Sequence, residues 1–328
     1  MTAKKGYLPL MAAIELSGLY PATITPFDGD LKIDVSALEA HLGATSDADG
    51  VRGLVVNGHI GELLALSPEE RIEVVSVARG VRRPGQLVMT GIMGHHVDDL
   101  VEQGLQAKAA GADGLLVLPP IDVRPYRRLA ANPDSVLHFF RSLDERVGLP
   151  MVVHQYPGFT GTAYSLEVLA RLTELEHVVA IKAASVEVSS YIDLWEALSG
   201  KSRILAATDA PGLLGMLLHG SHGALIGIGA IQPSLWAELL RLVREGPLDE
   251  ARGLFNRSCL PLMDAVFENQ IPRGIESEAS ATKEALVQLG VIPSSRVRPP
   301  CVPVTEERKQ LIAAALEKSG LTGGETCR

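Results

Sequence analysis

The residue of this sequence with the clearest chemical potential is Lys182, which follows four apolar residues at 178–181. Such a run is typical of a buried strand, and burial disfavours the charged form of an amine and lowers its pKa. A lysine with a lowered pKa can attack a carbonyl carbon and form an imine, also called a Schiff base. Position alone leaves the ordinary alternative open, in which the side chain extends to solvent or pairs with a carboxylate.

The elements that must position this lysine are eight short runs that are apolar almost throughout. Parallel strands that are covered on both faces have this pattern, whereas half-exposed strands alternate apolar and polar residues. The runs lie at residues 19–25, 53–57, 87–91, 114–118, 151–155, 178–182, 203–206 and 224–228. Helix signals fill the gaps between them. The clearest is a capping box in which Ser67 is the N-cap, Pro68 opens the helix and Glu70 is the third residue.

Eight strand–helix units with right-handed crossovers close most simply as a (β/α)8 TIM barrel. A doubly wound open sheet is the alternative, but no G-x-G-x-x-G follows the first strand. Strand signals end before residue 234, and helical signals continue at residues 235–245, 248–268, 279–289 and 306–319. We therefore predict an N-terminal extension at 1–17, a barrel at 18–233 and a C-terminal helical region at 234–328.

Composition favours small-molecule chemistry in the cytoplasm. The 328 residues are 46% hydrophobic and carry a net charge of -9, which gives no electrostatic reason to expect nucleic acid or an anionic membrane as partner. Cys259, Cys301 and Cys327 are widely spaced and include no C-x-x-C pair, so neither a disulfide framework nor a cysteine zinc site is indicated. Residues 210–237 lack charges, but glycines and prolines interrupt them, which predicts a core segment and no membrane span.

Polar side chains stand at the ends of several predicted strands. In a TIM barrel the chemistry lies at the carboxyl ends of the strands, so these side chains converge on one face. One lysine, two histidines and two carboxylates are brought together in this way: Lys182, His59, His154, Glu62 and Asp122.

With the lysine placed, the chain resembles the dihydrodipicolinate synthase and N-acetylneuraminate lyase family of class I aldolases, from residue 18 to about residue 320. Five motifs in the family's order carry the likeness. They are the opening strand at 18–27, G-H-I-G-E at 58–62 before L-S-P-E-E at 66–70, A-G-A-D-G at 110–114, I-K-A-A-S at 181–185 and R-P-P at 298–300. Pro157, Thr160 and Gly161 also keep the frame of the family's Y-N-x-P-x-x-T-G segment.

The resemblance implies a barrel with C-terminal helices, a homotetramer or homodimer, and pyruvate or another 2-oxo acid held as an imine. Lys182 is then the imine-forming residue and His154 its general acid and base. No metal or organic cofactor is implied, because the protonated imine itself is the electron sink. The resemblance also implies a substrate pocket formed by Gly58, His59, Ile60, Asp122, Phe159 and Leu225.

Departures from the family pattern predict an altered substrate. His59 and Ile60 replace the paired threonines that hold the substrate carboxylate in relatives, and His154 replaces the tyrosine that moves protons. An imidazole, with an ordinary pKa of roughly 6.5, moves protons near neutral pH more readily than a phenol. Phe159 replaces the arginine that holds the second substrate's carboxylate, which favours a less anionic or more apolar partner than aspartate semialdehyde. We assign Glu62 a structural role and favour a loop cap over a pocket acid for Asp122.

The primary hypothesis is a Schiff-base lyase, either an aldolase or a dehydratase, that acts on pyruvate or another 2-oxo acid. Three alternatives stay open at this point. The chain could be an authentic 4-hydroxy-tetrahydrodipicolinate synthase. It could be a metal-dependent aldolase or hydrolase in which His59, Glu62, His154 and Asp122 bind a divalent ion. It could also be a ligand-binding relative without catalysis, because the usual proton relay is missing.

Overall fold

A barrel of eight parallel strands forms the framework of the protein, whose computed structural model describes residues 16–120, 132–267 and 277–321. Each strand from β2 to β7 pairs with the next in sequence, and β8 pairs with β1. Isolated parallel bridges from Leu19 to Val51 and from Ala22 to Val55 bring β1 against β2. The strands are β1 (Gly18–Pro21), β2 (Gly53–Val56), β3 (Leu87–Ile92), β4 (Gly114–Val117), β5 (Met151–Gln155), β6 (Val178–Ala183), β7 (Arg203–Ala206) and β8 (Gly223–Ile226). The predicted TIM barrel is confirmed, and the open sheet is not.

Helices cover the outside of the barrel and continue beyond it. Those described between the strands are α1 (Val35–Asp47), α2 (Pro68–Val81), α3 (Val97–Ala109), α4 (Pro133–Arg146), α5 (Leu166–Leu172), α6 (Val188–Leu198) and α7 (Gly212–His219). After β8 follow α8 (Pro233–Glu245), α9 (Leu248–Leu254), α10 (Leu260–Phe267), α11 (Glu278–Gln288) and α12 (Glu306–Lys318). None of these described helices is long and apolar enough to cross a membrane.

The strands have the burial that their apolar composition predicts. Every residue of β2, β4 and β8 is buried, because the barrel interior covers one face and the helices cover the other. The first strand ends at Pro21, four residues before the predicted end, since residues beyond it make only an isolated bridge to β2. The capping box of α2 is present: Glu70 N donates to Ser67 Oγ at 3.2 Å and Ser67 N donates to Glu70 Oε2 at 2.9 Å.

The C-terminal region departs from its predicted helices at one point. A π-helical turn at Phe255–Cys259 separates α9 from α10, where one helix was predicted over 248–268. Pro261 follows this turn, has no N–H to bond the carbonyl of Arg257, and needs space beside that carbonyl. A widened turn provides that space. Helix α8 packs against β1 as the eighth barrel helix, so the predicted boundary at residue 233 falls at its first residue.

A buried cluster of charges joins the C-terminal region to the loop that follows β2. Lys283 of α11 donates to Glu62 Oε1, and the two side chains are 0% and 1% exposed. Glu62 Oε2 accepts from the backbone N–H of Arg298 at 3.0 Å, and the Arg298 guanidinium bonds both carboxylate oxygens of Glu70 at 2.6 Å. The ring of Phe27 lies 4.1 Å from Lys283 Nζ and 4.4 Å from Arg298 Cζ. Glu62 therefore has a structural role, as predicted.

We expect Lys283→Met to lower the free energy of unfolding by about 3–5 kcal/mol, because the Glu62 carboxylate then stays buried without its cation. The double variant Glu62→Gln with Lys283→Met should recover part of this loss. Urea denaturation followed by circular dichroism measures both. Asp249→Asn, which breaks an ion pair whose side chains are 63% and 92% exposed, is the control and should leave the midpoint unchanged. An unchanged midpoint for Lys283→Met would show that the pair contributes little.

Candidate active site

Lys182 and His154 stand side by side at the carboxyl end of the barrel. Lys182 is the fifth residue of β6, and its Cα partner in the neighbouring strand β5 is His154. Residues in register on adjacent parallel strands direct their side chains to the same face of the sheet. Both side chains accordingly line one cavity of about 390 Å³. The predicted meeting of these two residues is present in the structure.

The surroundings of Lys182 favour a neutral amine. Burial lowers the pKa of the Lys182 ammonium to about 8, and the negative charges of Asp209 and Glu278 oppose this lowering. Desolvation is therefore the larger effect, and the carboxylates prevent a still lower pKa. At pH 7 about a tenth of such an amine is neutral, against roughly one part in three thousand at the ordinary lysine pKa. The side chain is a usable nucleophile near neutral pH.

Three aromatic side chains form a neutral cluster beside the lysine. The ring centroids of His154 and Tyr156 lie 4.5 Å apart at an interplanar angle of 79°, and those of His59 and His154 lie 6.0 Å apart. Burial and then the Lys182 ammonium hold the pKa of His154 well below its usual value, and the same two causes lower that of His59 to about 4. Burial raises the pKa of Tyr156, so its hydroxyl stays protonated, and this hydroxyl forms a hydrogen bond with His59 Nε2.

His59 lies at the mouth of the cavity. This position explains how its side chain can be exposed and still have a lowered pKa. The side chain is exposed to the cavity while protein surrounds it on the other sides. Solvent in the cavity moderates the cost of a charge there, but the Lys182 ammonium repels a second cation. The neutral imidazole is thus the favoured form.

Among the described residues that line the cavity are two carboxylates, Asp209 and Glu278. Asp209 lies just past β7, and its Oδ1 accepts from the backbone N–H of Ile228 at 2.8 Å. A Cβ at Gly227 would lie 3.2 Å from Asp209 Oδ2 and 3.0 Å from the Phe267 ring, so a glycine here leaves room for both. Burial raises the pKa of Asp209, while the backbone N–H groups and Lys182 oppose the rise. The Glu278 side chain is exposed to the cavity, but the protein around it limits its hydration, and this desolvation and then Asp209 raise its pKa to about 7.

The structure brings together most of the predicted site residues. Six of them line the cavity: Gly58, His59, Ile60, His154, Phe159 and Lys182. Phe159 is 82% exposed at its rim. Leu225 is fully buried in β8 opposite Tyr20 and is not among the described residues of the cavity wall, so the structure does not support its predicted contact with substrate. Gly227, two residues further on, lines the cavity instead. Asp122 lies outside the described residues.

Sequence reasoning missed three titratable residues that line the cavity, Tyr156, Asp209 and Glu278. Tyr156 follows His154 by two residues and could have been found as a second side chain at the end of β5. Asp209 follows β7 by three residues, and the strand-end argument applied to the seventh strand would have found it. Glu278 has no such local signal, because it begins a helix nearly a hundred residues after Lys182. Only the tertiary structure places it in the barrel mouth.

The metal alternative assigned His59, Glu62, His154 and Asp122 as ligands, and Asp122 lies outside the described residues. Both carboxylate oxygens of Glu62 are occupied, one by Lys283 Nζ and the other by Arg298 N. Within residues 16–120, 132–267 and 277–321, no group of three or more His, Cys, Asp or Glu side chains is arranged to hold a metal ion.

Comparison with known proteins adds to this geometry. Residues 15–319 match the model of the Dihydrodipicolinate synthetase family. The chain belongs to this family. It is 29% identical over 303 residues to the 4-hydroxy-tetrahydrodipicolinate synthase of Methanococcoides burtonii. The aligned region covers 92% of this chain and 98% of that protein. The Bartonella quintana enzyme of the same name is 30% identical over 307 residues, with 93% and 99% covered.

Solved structures of the dihydrodipicolinate synthetase family share the fold. A chloride-inhibited dihydrodipicolinate synthase from Acinetobacter baumannii, complexed with pyruvate, has a TM-score of 0.82 at 25% identity and covers 93% of this chain and 99% of its own. Family members are lyases of the aldolase type that form a Schiff base between a lysine and pyruvate. This chain is accordingly a lyase of the Schiff-base-forming class.

The lowered pKa of Lys182 predicts a pH-dependent reactivity. Its labelling by fluorodinitrobenzene should rise tenfold per pH unit below about pH 8 and level off above it, because the neutral amine is the reacting form. Peptide mass spectrometry of timed samples measures the rate, with the exposed Lys201 in the same digest as reference. A Lys182 rate that still climbs tenfold per unit at pH 10 would contradict the lowered pKa.

Proposed function

We propose that the protein is a Schiff-base aldolase or dehydratase that acts on pyruvate or another 2-oxo acid through an imine on Lys182. The observation that carries this proposal is the pairing of Lys182 with His154 at the carboxyl ends of β6 and β5, inside a cavity that lowers the lysine pKa to about 8. The imine is the electron sink, so the proposed reaction uses no metal or organic cofactor.

The proposed first step is attack of the neutral Lys182 amine on C2 of the 2-oxo acid. The carbinolamine that forms must lose its hydroxyl as water, and that loss needs a proton donor beside the lysine. We assign this proton transfer to His154, the neighbour of Lys182 in the sheet. The neutral imidazole takes up the proton that the Lys182 ammonium releases on becoming a nucleophile. Because its pKa is depressed, the resulting imidazolium is a strong enough acid to give this proton to the departing hydroxyl. Once the imine is protonated, a bond two atoms from nitrogen can form or break.

The loop after β2 is the proposed site of the substrate carboxylate. Gly58, His59 and Ile60 line the cavity at the position where relatives carry paired threonines. Backbone N–H groups bind carboxylates without a charged side chain. The neutral ring of His59, fixed by the Tyr156 hydroxyl, supplies a further polar contact. This arrangement accounts for the loss of the threonine hydroxyls.

The outer part of the cavity favours a second substrate, or leaving aldehyde, with little negative charge. No arginine is among its described lining residues, and two carboxylates, Asp209 and Glu278, are. An adjoining cavity of about 540 Å³ shares His59, Phe267 and Glu278 with it and is walled largely by apolar side chains. An apolar or aromatic aldehyde suits these walls better than aspartate semialdehyde does.

Authentic 4-hydroxy-tetrahydrodipicolinate synthase is the second candidate function. Relatives of that name are 26% to 30% identical over more than nine-tenths of the chain, which favours it. In such a reaction Arg308, which lines the adjoining cavity, would bind the carboxylate of aspartate semialdehyde. A homodimer or homotetramer in the cytoplasm is part of both proposals, and family membership supports it. Sedimentation velocity of the purified protein tests the assembly.

Borohydride added with pyruvate should reduce the imine and fix a covalent adduct on Lys182. Intact-mass and peptide mass spectrometry locate it, and a panel of other 2-oxo acids ranks the preferred substrate. Lys182→Arg keeps a cation but cannot form the adduct, so it is the matched control. Absence of an adduct with every 2-oxo acid tested would overturn the proposed function.

Aldehyde preference separates the two candidate functions. With pyruvate present, we expect benzaldehyde to be consumed at least tenfold faster than aspartate semialdehyde, because Asp209 and Glu278 repel the carboxylate of the latter. Product formation is measured by liquid chromatography and mass spectrometry. Phe159→Arg should narrow the ratio by restoring a cation at the cavity rim. A wild-type preference for aspartate semialdehyde would favour the authentic synthase.

A further inference from the structure

The catalytic cavity contains a carboxylate that the steps above do not use. Glu278 is the first residue of α11 and therefore belongs to the C-terminal region, yet it lines the same cavity as Lys182. The two side chains are close enough that the Lys182 ammonium lowers the pKa of Glu278 and the Glu278 carboxylate raises that of Lys182. A carboxylate in this place can exchange protons with a molecule bound to the lysine.

The other polar groups of the cavity are less suited to move a proton at carbon. Asp209 is held by the backbone N–H groups of Gly227 and Ile228, which favour its ionised form and fix its position. The Tyr156 hydroxyl is committed to His59, and burial raises its pKa. No hydrogen bond from another described residue holds Glu278. Its carboxylate is therefore free to contact substrate.

The helix that carries Glu278 is fixed to the barrel by the buried charge cluster. Lys283, five residues further along α11, bonds Glu62, which lies three residues after His59 in the loop following β2. One ion pair thus sets the separation between Glu278 on one wall of the cavity and His59 on another. Fixed placement of this kind is what a general base requires, because efficiency falls steeply with small displacements.

We propose that Glu278 is the catalytic base and acid at C3 of the lysine-bound 2-oxo acid, an inference that rests on the proposed imine at Lys182. The Glu278 carboxylate removes a proton from C3 of the protonated imine. The C–H electron pair becomes the C2–C3 double bond, and the imine π electrons become the nitrogen lone pair. The products are a neutral enamine and a Glu278 carboxylic acid, so charge and protons balance.

The same proton completes the addition of an aldehyde. The enamine carbon attacks the aldehyde carbon, the new C–C bond forms, and the Glu278 acid gives its proton to the alkoxide oxygen. The protonated imine is restored, and water releases the product from Lys182. Cleavage runs through these steps in reverse order. No oxidant, reductant or metal enters the balance.

The pKa of Glu278 suits this role near neutral pH. Burial raises it to about 7, Asp209 adds to the rise, and Lys182 opposes it. The N-terminal end of α11 also favours the carboxylate, but this effect is smaller than the desolvation that raises the Glu278 pKa. A base whose pKa lies near the working pH transfers protons most efficiently.

The titratable groups around the two cavities that Glu278 lines are Lys182, Asp209, His59, His154, Tyr156, Glu62, Cys301 and Arg308.

The test is the exchange of the C3 protons of pyruvate for deuterium in D2O, followed by the loss of the methyl signal in proton NMR. This reaction needs the imine and the C3 base but no aldehyde. We expect Glu278→Gln to slow exchange by at least about 100-fold while borohydride with pyruvate still labels Lys182. Glu278→Asp should retain an intermediate rate. Glu284→Gln is the matched control on the same helix, because its carboxylate bonds Ser295 and Gln288 and does not line the cavity.

A pH profile separates a catalytic role from a structural one. At saturating pyruvate Lys182 is held as the imine, so the rise of the exchange rate with pH reports the Glu278 carboxylate. Asp209→Asn removes a neighbouring negative charge, lowers the pKa of Glu278 and should move that rise to lower pH. A Glu278→Gln protein that labels and exchanges like wild type, or an unmoved rise in Asp209→Asn, would overturn the role of Glu278. A wild-type protein that is never labelled would instead overturn the proposed function.

Discussion

The buried ion pair between Glu62 and Lys283 is the constraint on which the geometry of the site depends. A carboxylate and an ammonium removed from water each lose several kcal/mol of hydration, and only a close partner with further hydrogen bonds offsets that loss. Here the backbone N–H of Arg298 and the carbonyl of Arg296 provide those bonds. The pair tolerates little displacement, so it fixes α11 against the loop after β2. An apolar pair of equal volume would hold the surfaces together but would not specify their register.

The chemistry of the cavity results from a balance between burial and charge. Burial alone would push the Lys182 pKa further down and the pKa values of Asp209 and Glu278 further up. Each group moderates the others, since the ammonium stabilises the carboxylates and they stabilise the ammonium. The histidines lack this compensation, because the ammonium repels a second cation, and they stay neutral. One cavity thereby holds a lysine and a glutamate that both titrate near neutral pH beside imidazoles that do not.

Local patterns in the sequence were sufficient to predict the barrel and half of the site. Eight apolar runs gave the strands because both faces of a barrel strand are buried, and the strand-end rule placed Lys182 beside His154. Leu225 shows the limit of the family resemblance. The alternation of a strand turns neighbouring side chains to opposite faces, and a likeness to relatives did not reveal that this one points into the core. Glu278 could not be predicted, because its place depends on contacts between residues more than two hundred positions apart.

The origin of α11 outside the barrel has a consequence for how the protein is made. Synthesis proceeds from the N-terminus, so Lys182 and all eight strands leave the ribosome before Glu278, Lys283 and Arg298 exist. A nascent barrel already has its amine, but one wall of the cavity and the carboxylate that faces the lysine are still to come. The Lys182 amine is therefore synthesised before the side chains that surround it in the finished cavity. Translation of residues 278–298 completes the local electrostatic field as well as this wall of the cavity, and reactive carbonyl compounds of the cell meet a complete site only after those residues have been made.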